Sequence, residues 1–445
     1  MFELAFRSVL QRPGRFVGTL LSAFLGATIT MMFNSMHDTA GGSNVDDQSA
    51  ELLTITGAAV GGYGTLLVFF AVASALTVNV RQRDEEIRLL RCTGATPAQI
   101  KRMVVGEAVL VAVVSTLLAL VPAMLGGRAL LGQFQDNGQV AEAVDYVFGP
   151  IAISAGVSIT MLASVGAAFL AVRRATKAAA GARAPRHRLR TLGGGLAFLA
   201  GVGGVSVTFT MDRTEPALMA APAYGAILLS VGFATFSPML LRVLLGWLAR
   251  PVELLAGAPG YLTVHNLRER ATQLAGVLMP LILFIGMATA TLYMQDIESN
   301  AVKASGVGKT VADKNLESLN FVIVGIIVAF ACIMLINSLY AATSYRRREF
   351  GGQRLAGATP GQVLGMVGVE GLVLTATGLF FGTLAGVAGI LPFNIVRTDT
   401  VVPDVGVAMW LGIAAVGAAV TLVTSVGTAR RALRTPAVSA VAVAA

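Results

Sequence analysis

The sequence predicts an all-α polytopic membrane protein with about ten transmembrane helices, and three observations carry that prediction. Of the 445 residues, 55% are hydrophobic and only 13% charged, where a soluble domain carries roughly 25% charged residues. The apolar residues gather into ten runs of about 20, the length at which a helix crosses the hydrocarbon with its backbone groups satisfied internally. Bases also alternate between the loops: with the N-terminus inside, the inner segments hold 27 Lys or Arg and the outer loops 6, as the positive-inside rule requires. The same assignment puts 9 acids inside and 15 outside, so the net charge of +9 is the remainder of two opposed faces. A basic balance of this kind reports topology rather than nucleic acid.

In chain order, residues 1–12 mix Phe2, Leu4, Val9 and Leu10 with Arg7 and Arg12, which suits a short helix lying on the inner membrane surface. The first span, 16–34, is longer than a signal-peptide apolar core and lacks a small-residue cleavage site, so it reads as a retained helix. The next spans are 54–79, 106–126, 150–172, 192–210, 218–244, 273–294, 319–342, 366–391 and 408–428. Pro222 and Pro238 predict a kink or an early end in the sixth. Residues 173–190 hold seven bases and no acid. No aromatic residue interleaves them, so a solvated linker near anionic lipid explains them better than nucleic acid does. Cys92 and Cys332 lie far apart and imply neither a disulfide framework nor a metal site.

The chain also matches itself. At a constant offset of 263, residues 83–107 and 346–370 align without a gap, and eleven of the 25 positions are identical. These are Arg83/Arg346, Glu86/Glu349, Arg91/Arg354, Gly94/Gly357, Ala95/Ala358, Thr96/Thr359, Pro97/Pro360, Gln99/Gln362, Met103/Met366, Val104/Val367 and Glu107/Glu370. Each copy falls on the inner side, between the second and third helix of a four-helix group. The organisation is therefore a first half, 1–175, a basic linker with two linking helices, 176–258, a second half, 259–435, and a C-terminal tail, 436–445. Both halves begin and end inside, so the repeat is parallel.

Local chemistry gives the repeated segment a shape. A charged run continues a membrane helix into the cytosol, and Gly94 or Gly357 stops it. Thr96 or Thr359 caps a new helix, Pro97 or Pro360 occupies its first turn, and Gln99 or Gln362 completes a capping box. A rigid elbow results. The shared Arg, Glu and Arg before the turn, and Glu107 or Glu370 after it, have two readings: Arg-to-Glu pairs that close the elbow, or a docking surface for a cytoplasmic partner.

At these residues the sequence resembles the FtsX-like permease family of ABC transporters, whose pattern is a charged R-x-x-E-(I/F)-x-x-x-R-x-x-G-A-T segment followed by an apolar helix. The ten-helix layout is similar to that of bacitracin-export permeases. The resemblance implies that Arg83, Glu86, Arg91, Gly94, Ala95, Thr96, Pro97 and Gln99, with Arg346, Glu349, Arg354, Gly357, Ala358, Thr359, Pro360 and Gln362, form elbows coupled to a separate ATP-binding subunit. It further implies two such subunits per chain, which bind ATP and Mg while the permease holds no cofactor. The large extracytoplasmic domain usual in the family has no counterpart here, because the loops at 35–53 and 295–318 are too short for a folded core. The two elbows also diverge: Arg88-Leu89 in the first stands where Gly351-Gly352 stands in the second.

Other motifs carry little. Residues 304–310, ASGVGKT, fall short of a phosphate-binding loop because Lys303 stands where that loop needs Gly. No catalytic or metal constellation is present, and the three histidines lie on different loops. The ionisable residues within the spans, Glu107, Arg242 and Glu370, sit near cytoplasmic ends, whereas an ion-coupled carrier would place one near mid-membrane. The glycine series Gly378, Gly382 and Gly386 predicts close helix packing rather than a substrate site. The expectation is a non-enzymatic permease subunit in a bacterial plasma membrane, with both termini cytoplasmic. It would export or extract a lipid, antibiotic, peptide or similar amphipathic compound. The alternatives are a non-transporting transmembrane regulator and an ion-coupled carrier.

Overall fold

A computed structural model of the chain describes residues 16–58, 65, 72, 75–76, 89–136, 138–179, 186–213, 218–304, 325, 332–340, 342–343, 346–403 and 405–442. Among the described residues every regular element is helical. In chain order these are α1 (Val17–Ala40), α2 (Pro97–Asp136), α3 (Pro150–Ala179), α4 (Arg186–Val207), α5 (Ala220–Ala304), α6 (Arg347–Leu355), α7 (Pro360–Thr398), α8 (Val407–Leu433) and α9 (Ala437–Ala442). Eight stretches are long and apolar enough to cross a membrane, and they coincide with eight of the ten spans read from sequence. The other two, 54–79 and 319–342, lie mostly outside the described residues, as do the N-terminal segment 1–12 and nearly all of the 304–310 motif.

Several helices overrun their apolar cores. At 1.5 Å per residue the 40 residues of α2 extend about 60 Å, twice the hydrocarbon thickness of about 30 Å. The helix therefore carries well past the sequence-read end at 126, to Asp136, and α7 runs to Thr398 rather than 391. The fifth helix holds two spans, Ala220–Leu254 and Gly276–Ala304. Backbone angles stay helical through Pro238 and break only at Gly257, with φ 56° and ψ −133°, a conformation open to glycine. The chain reverses there, because Ala226 packs in one core with Ala290 and Met294. The helix thus does not end early at Pro238, and Pro222 lies in the first turn, where its missing N–H has no intrahelical partner to lose.

Two compact units result: Met1–Ala184 with Val302–Met334, and Pro185–Ala301 with Leu335–Ala445. Both linking helices, α4 and the first limb of α5, sit in the second unit.

In the first unit α1, α2 and α3 pack together. The last turn of α1 stitches that packing to the loop before α3. The buried Asp38 carboxylate accepts from the Ile151 and Ala152 N–H groups at 3.0 and 2.8 Å, which satisfies donors that the first turn of α3 leaves free and places an anion at its positive end. Thr39 bonds Val147, and Tyr146 donates to Ser35 at 3.0 Å.

In the second unit the limb of α5 after Gly257 is the central helix, and its Gly276–Ala304 span is the most enclosed of the eight. The glycine stripe of α7 lies against it: a Cβ at Gly378 would come within 2.5 Å of Leu281, and one at Gly382 within 2.7 Å of Ile285. That is the close packing the glycine series predicted. At the end away from α6, Arg397 holds Glu298 through two bonds of 2.6 and 2.7 Å. Arg397 also donates to the Arg213 carbonyl, and Arg213 pairs with Asp399.

Candidate functional site

The two elbows share one backbone design, bond for bond. In the first, Ala95 N–H donates to Leu90 O at 2.9 Å and Gly94 N–H to Arg91 O at 3.1 Å; in the second, Ala358 N–H donates to Gln353 O and Gly357 N–H to Arg354 O at the same two distances. This pair of bonds is the Schellman closure of a helix, and it places the glycine in the left-handed region. Gly94 has φ 94° and Gly357 φ 98°. The following helix then opens with a reciprocal cap. Thr96 N–H donates to Gln99 Oε1 at 2.9 Å and Gln99 N–H to Thr96 Oγ1 at 3.3 Å; Thr359 and Gln362 do the same at 2.8 and 3.3 Å. Stop, cap, proline and capping box all stand where the sequence placed them.

The first turns of α2 and α7 are seated alike. Ile100 and Val104 are buried against α3 residues Ala167, Ala168 and Val172. Val363 and Val367, at the same offset of 263, are buried against Phe350 and α8 residues Ala429 and Ala432. Each elbow is therefore fastened to its membrane helices by apolar side chains and not only by its turn.

The second elbow is also closed by charge. Arg346 pairs with Glu370 on α7, and it donates to Glu349 on α6 at 2.9 and 3.1 Å. Glu349 in turn meets Arg270 on α5 at 2.6 Å. The four groups, two guanidinium and two carboxylate, link three helices into one neutral chain. Arg346 and Glu370 have side chains only 10% and 5% exposed, so the pairing meets a real desolvation cost. Burial alone would push the Glu349 carboxyl up, but its hydrogen bond to Arg346 and the charges of Arg346 and Arg270 hold it below the usual carboxylate range. The Arg346 guanidinium also lies over the Phe350 ring.

This closure changes one expectation. Rather than continuing a membrane helix smoothly, Arg346 forms a turn, its N–H bonded to Thr343 O, and α6 starts afresh at Arg347. A guanidinium has no acceptor with which to cap the first N–H groups of α6, and the Arg346 side chain pairs with the two acids.

Arg354 completes the second elbow by donating to the carbonyls of Leu433 and Thr435 at 3.1 and 2.9 Å. Those carbonyls belong to the last turn of α8 and the residues just past it, where helical acceptors lack partners.

In the first elbow, Arg91 is half-buried beside the closing turn and Glu107 is buried at 2% exposure. Arg83 and Glu86 lie outside the described residues. Arg270, the Arg354 carbonyl partners and α9 were not singled out from sequence. Arg270 lies outside the aligned repeat, and carbonyl acceptors leave no sequence signal.

Each elbow also exposes residues that the other does not share. Leu89, 63% exposed, and Cys92 protrude from the first; Arg347, Arg348 and Leu355, 56% exposed, protrude from the second. The identical Gly, Thr, Pro and Gln of each turn are exposed as well, so shared and divergent residues lie side by side on each elbow's open surface.

Fold and site together define a polytopic helical membrane protein with a duplicated elbow-bearing unit. The model of the FtsX-like permease C-terminal family matches residues 58–180 and again 321–437, more than half of the sequence. The chain belongs to the FtsX-like permease family. The two matches start 263 residues apart, the offset of the internal repeat. Permeases of this family are membrane components of ABC-type systems and generally work with cytoplasmic ABC ATPase partners. No curated protein matches the sequence.

Proposed function

We propose that this chain supplies both halves of a permease that couples ATP hydrolysis in a separate cytoplasmic subunit to export or membrane extraction of a hydrophobic or amphipathic compound. One observation carries the reading: two elbows of the same hydrogen-bonded geometry, each rigidly seated on membrane helices. A force applied at the second elbow reaches α5 and α7 through the Arg270–Glu349–Arg346–Glu370 chain. Duplication of the elbow supports two ATP-binding subunits per chain. The predominantly apolar spans support a lipophilic cargo.

In this reading the residues divide their labour. Arg346, Glu349, Arg354 and Glu370, with Gly357, Ala358, Thr359, Pro360 and Gln362, hold the second elbow in shape. Gly94, Ala95, Thr96, Pro97 and Gln99 do the same in the first, where the repeat extends the ionic roles to Arg83, Glu86, Arg91 and Glu107. Contact with the ATPase falls to the exposed Leu89, Arg347, Arg348 and Leu355.

The test is co-expression of the full chain with candidate cytoplasmic ABC ATP-binding proteins and reconstitution of the complex in proteoliposomes. Hydrolysis should rise with a lipophilic cargo, and the cargo should move only with ATP. Burying an exposed leucine contributes about 1.5–3 kcal/mol, so Leu89→Asp with Leu355→Asp should weaken association by tenfold or more. Association unchanged by the double variant would overturn the docking assignment. Hydrolysis indifferent to every lipophile, together with a protein partner bound on the outer side, would favour a non-transporting regulator.

A further inference from the structure

The second unit encloses a cavity at the elbow end of its membrane helices, beside the charge chain that closes the elbow. It offers about 20 Å³ to the centre of a water-sized sphere, and a single water needs about 10–15 Å³ by the same measure. Four helical segments meet there: Val277 comes from α5, Leu339 and Thr343 from the helical residues before Arg346, Val367 and Glu370 from α7, and Ser425 from α8.

Apolar walls alone would leave such a space dry. Here the polar groups around it hold bonding capacity that the protein does not use. Thr343 and Ser425 are 5% and 4% exposed, and neither hydroxyl has a hydrogen-bond partner among the described residues. The buried Glu370 accepts from Arg346 through Oε2, and its Oε1 has no partner among the described residues. Arg346, which also lines the cavity, uses three N–H bonds on the two acids, so donors remain on its guanidinium. Leaving a buried hydroxyl or carboxylate oxygen unbonded is costly.

Charge and size select the occupant. Arg270, Glu349, Arg346 and Glu370 already sum to zero, so a cation among them would be an uncompensated buried charge, and it would stand beside the Arg346 guanidinium. The head group of an amphipathic cargo, with its chain attached, is too large for the space of one water. Water is neutral, fits, and both donates and accepts.

We infer that the cavity is a built water site, in which one water joins Glu370 Oε1 to the Thr343 and Ser425 hydroxyls. Helix α8 gives no charged group to the chain of ion pairs. Through Ser425 the water ties it in, since a bridging water is nearly as good as a direct hydrogen bond. Closure of the second elbow therefore engages four helical segments, and it does so without any ATP-binding partner.

X-ray hydroxyl-radical labelling of the full chain in nanodiscs tests this, because the pulse turns a bound water into radical where it stands and oxidises the side chains beside it. Leu339 and Val367, 1% and 2% exposed, line the cavity, whereas Leu278 and Leu281, both 0% exposed on α5, do not. Oxidation should appear at Leu339 and Val367 and be absent at Leu278 and Leu281. Thr343→Val with Ser425→Ala removes both hydroxyls at little change in volume, and it should reduce oxidation at Leu339 and Val367 to the level of the two controls. Thr343→Ser keeps a hydroxyl and should keep the labelling. Protection of Leu278 and Leu281 reports an intact fold in each variant, and the wild-type comparison stands even where a variant does not fold. Leu339 and Val367 as protected as the controls in the wild-type chain would overturn the inference, and so would oxidation indifferent to the double variant. Labelling suppressed by sodium chloride but not by choline chloride would put a cation in the cavity and overturn it as well.

Discussion

The two elbows share a backbone turn and differ in the residues beside it. Both close a helix with the same two hydrogen bonds and open the next with the same capping box, because Gly, Thr, Pro and Gln act through short-range geometry that survives divergence of everything nearby. Around that turn the second elbow gathers a fourth charge from α5, a carbonyl clamp from Arg354 and the helix α9, which packs on α6 at Gly351. Local chemistry thus sets the bend, while long-range packing sets how strongly the bend is held and what surface it shows. Duplication has preserved the bend.

The most disruptive way to probe the difference is through the buried charges. Arg270, Glu349, Arg346 and Glu370 sum to zero, so deleting one leaves a buried charge uncompensated, at a cost of about 3–5 kcal/mol. Arg346→Ala or Glu370→Ala should therefore destabilise the second unit by that amount in equilibrium unfolding from mixed micelles. Replacing both at once, Arg346→Met with Glu370→Leu, leaves the neutral Arg270–Glu349 pair and should recover most of the loss. The comparison sharpens with Glu107→Ala. An equal cost there would make charge closure a property of the repeat, whereas a cost under 1 kcal/mol would confine it to the second elbow.

A smaller and symmetric effect should come from the glycines. Open space surrounds the position a Cβ would take at both Gly94 and Gly357, so substitution by Ala meets no clash and is opposed only by the left-handed backbone. That conformation costs a residue with a Cβ roughly 1–2 kcal/mol. Gly94→Ala and Gly357→Ala should lower stability equally, within a few tenths of a kcal/mol, in the same unfolding assay. Unequal values would break the claim that the two turns are alike.

What was legible in the sequence follows the range of the forces involved. Long apolar runs announce spans, because lipid demands them of each helix separately. Gly-Ala-Thr-Pro-x-Gln announces the elbow, because its bonds join residues at most five apart. Glu107 and Glu370 are visible through repetition and as rare acids within the spans, and Arg270 is not visible at all, since its partner Glu349 lies 79 residues away and the aligned repeat does not reach it. The substitution of Gly351 for Arg88 stood out as a difference without a meaning until α9 supplied one: a glycine in a sequence does not say whether it serves a turn or an approaching helix. Pro238 does not end its helix early, for a related reason. Membrane helices tolerate proline where their neighbours accommodate it.

The smallest effect concerns acid. Glu349 sits outside the membrane spans with its carboxyl held below the usual value of 4.5 by Arg346 and Arg270. A carboxylate whose folded value is depressed contributes stability that is fully present above its unfolded value and is lost as pH falls through the folded one. Hydrogen-exchange protection of α6, corrected for the intrinsic pH dependence of exchange, should therefore stay level from neutrality down to about pH 5 and decline only below the ordinary carboxylate range. Glu349→Gln should remove part of that decline and lower the protection at neutral pH, because Arg270 then loses its counter-charge. Decline already under way between pH 7 and 6 in the wild-type chain would show that another group, and not this carboxylate, holds α6 in place.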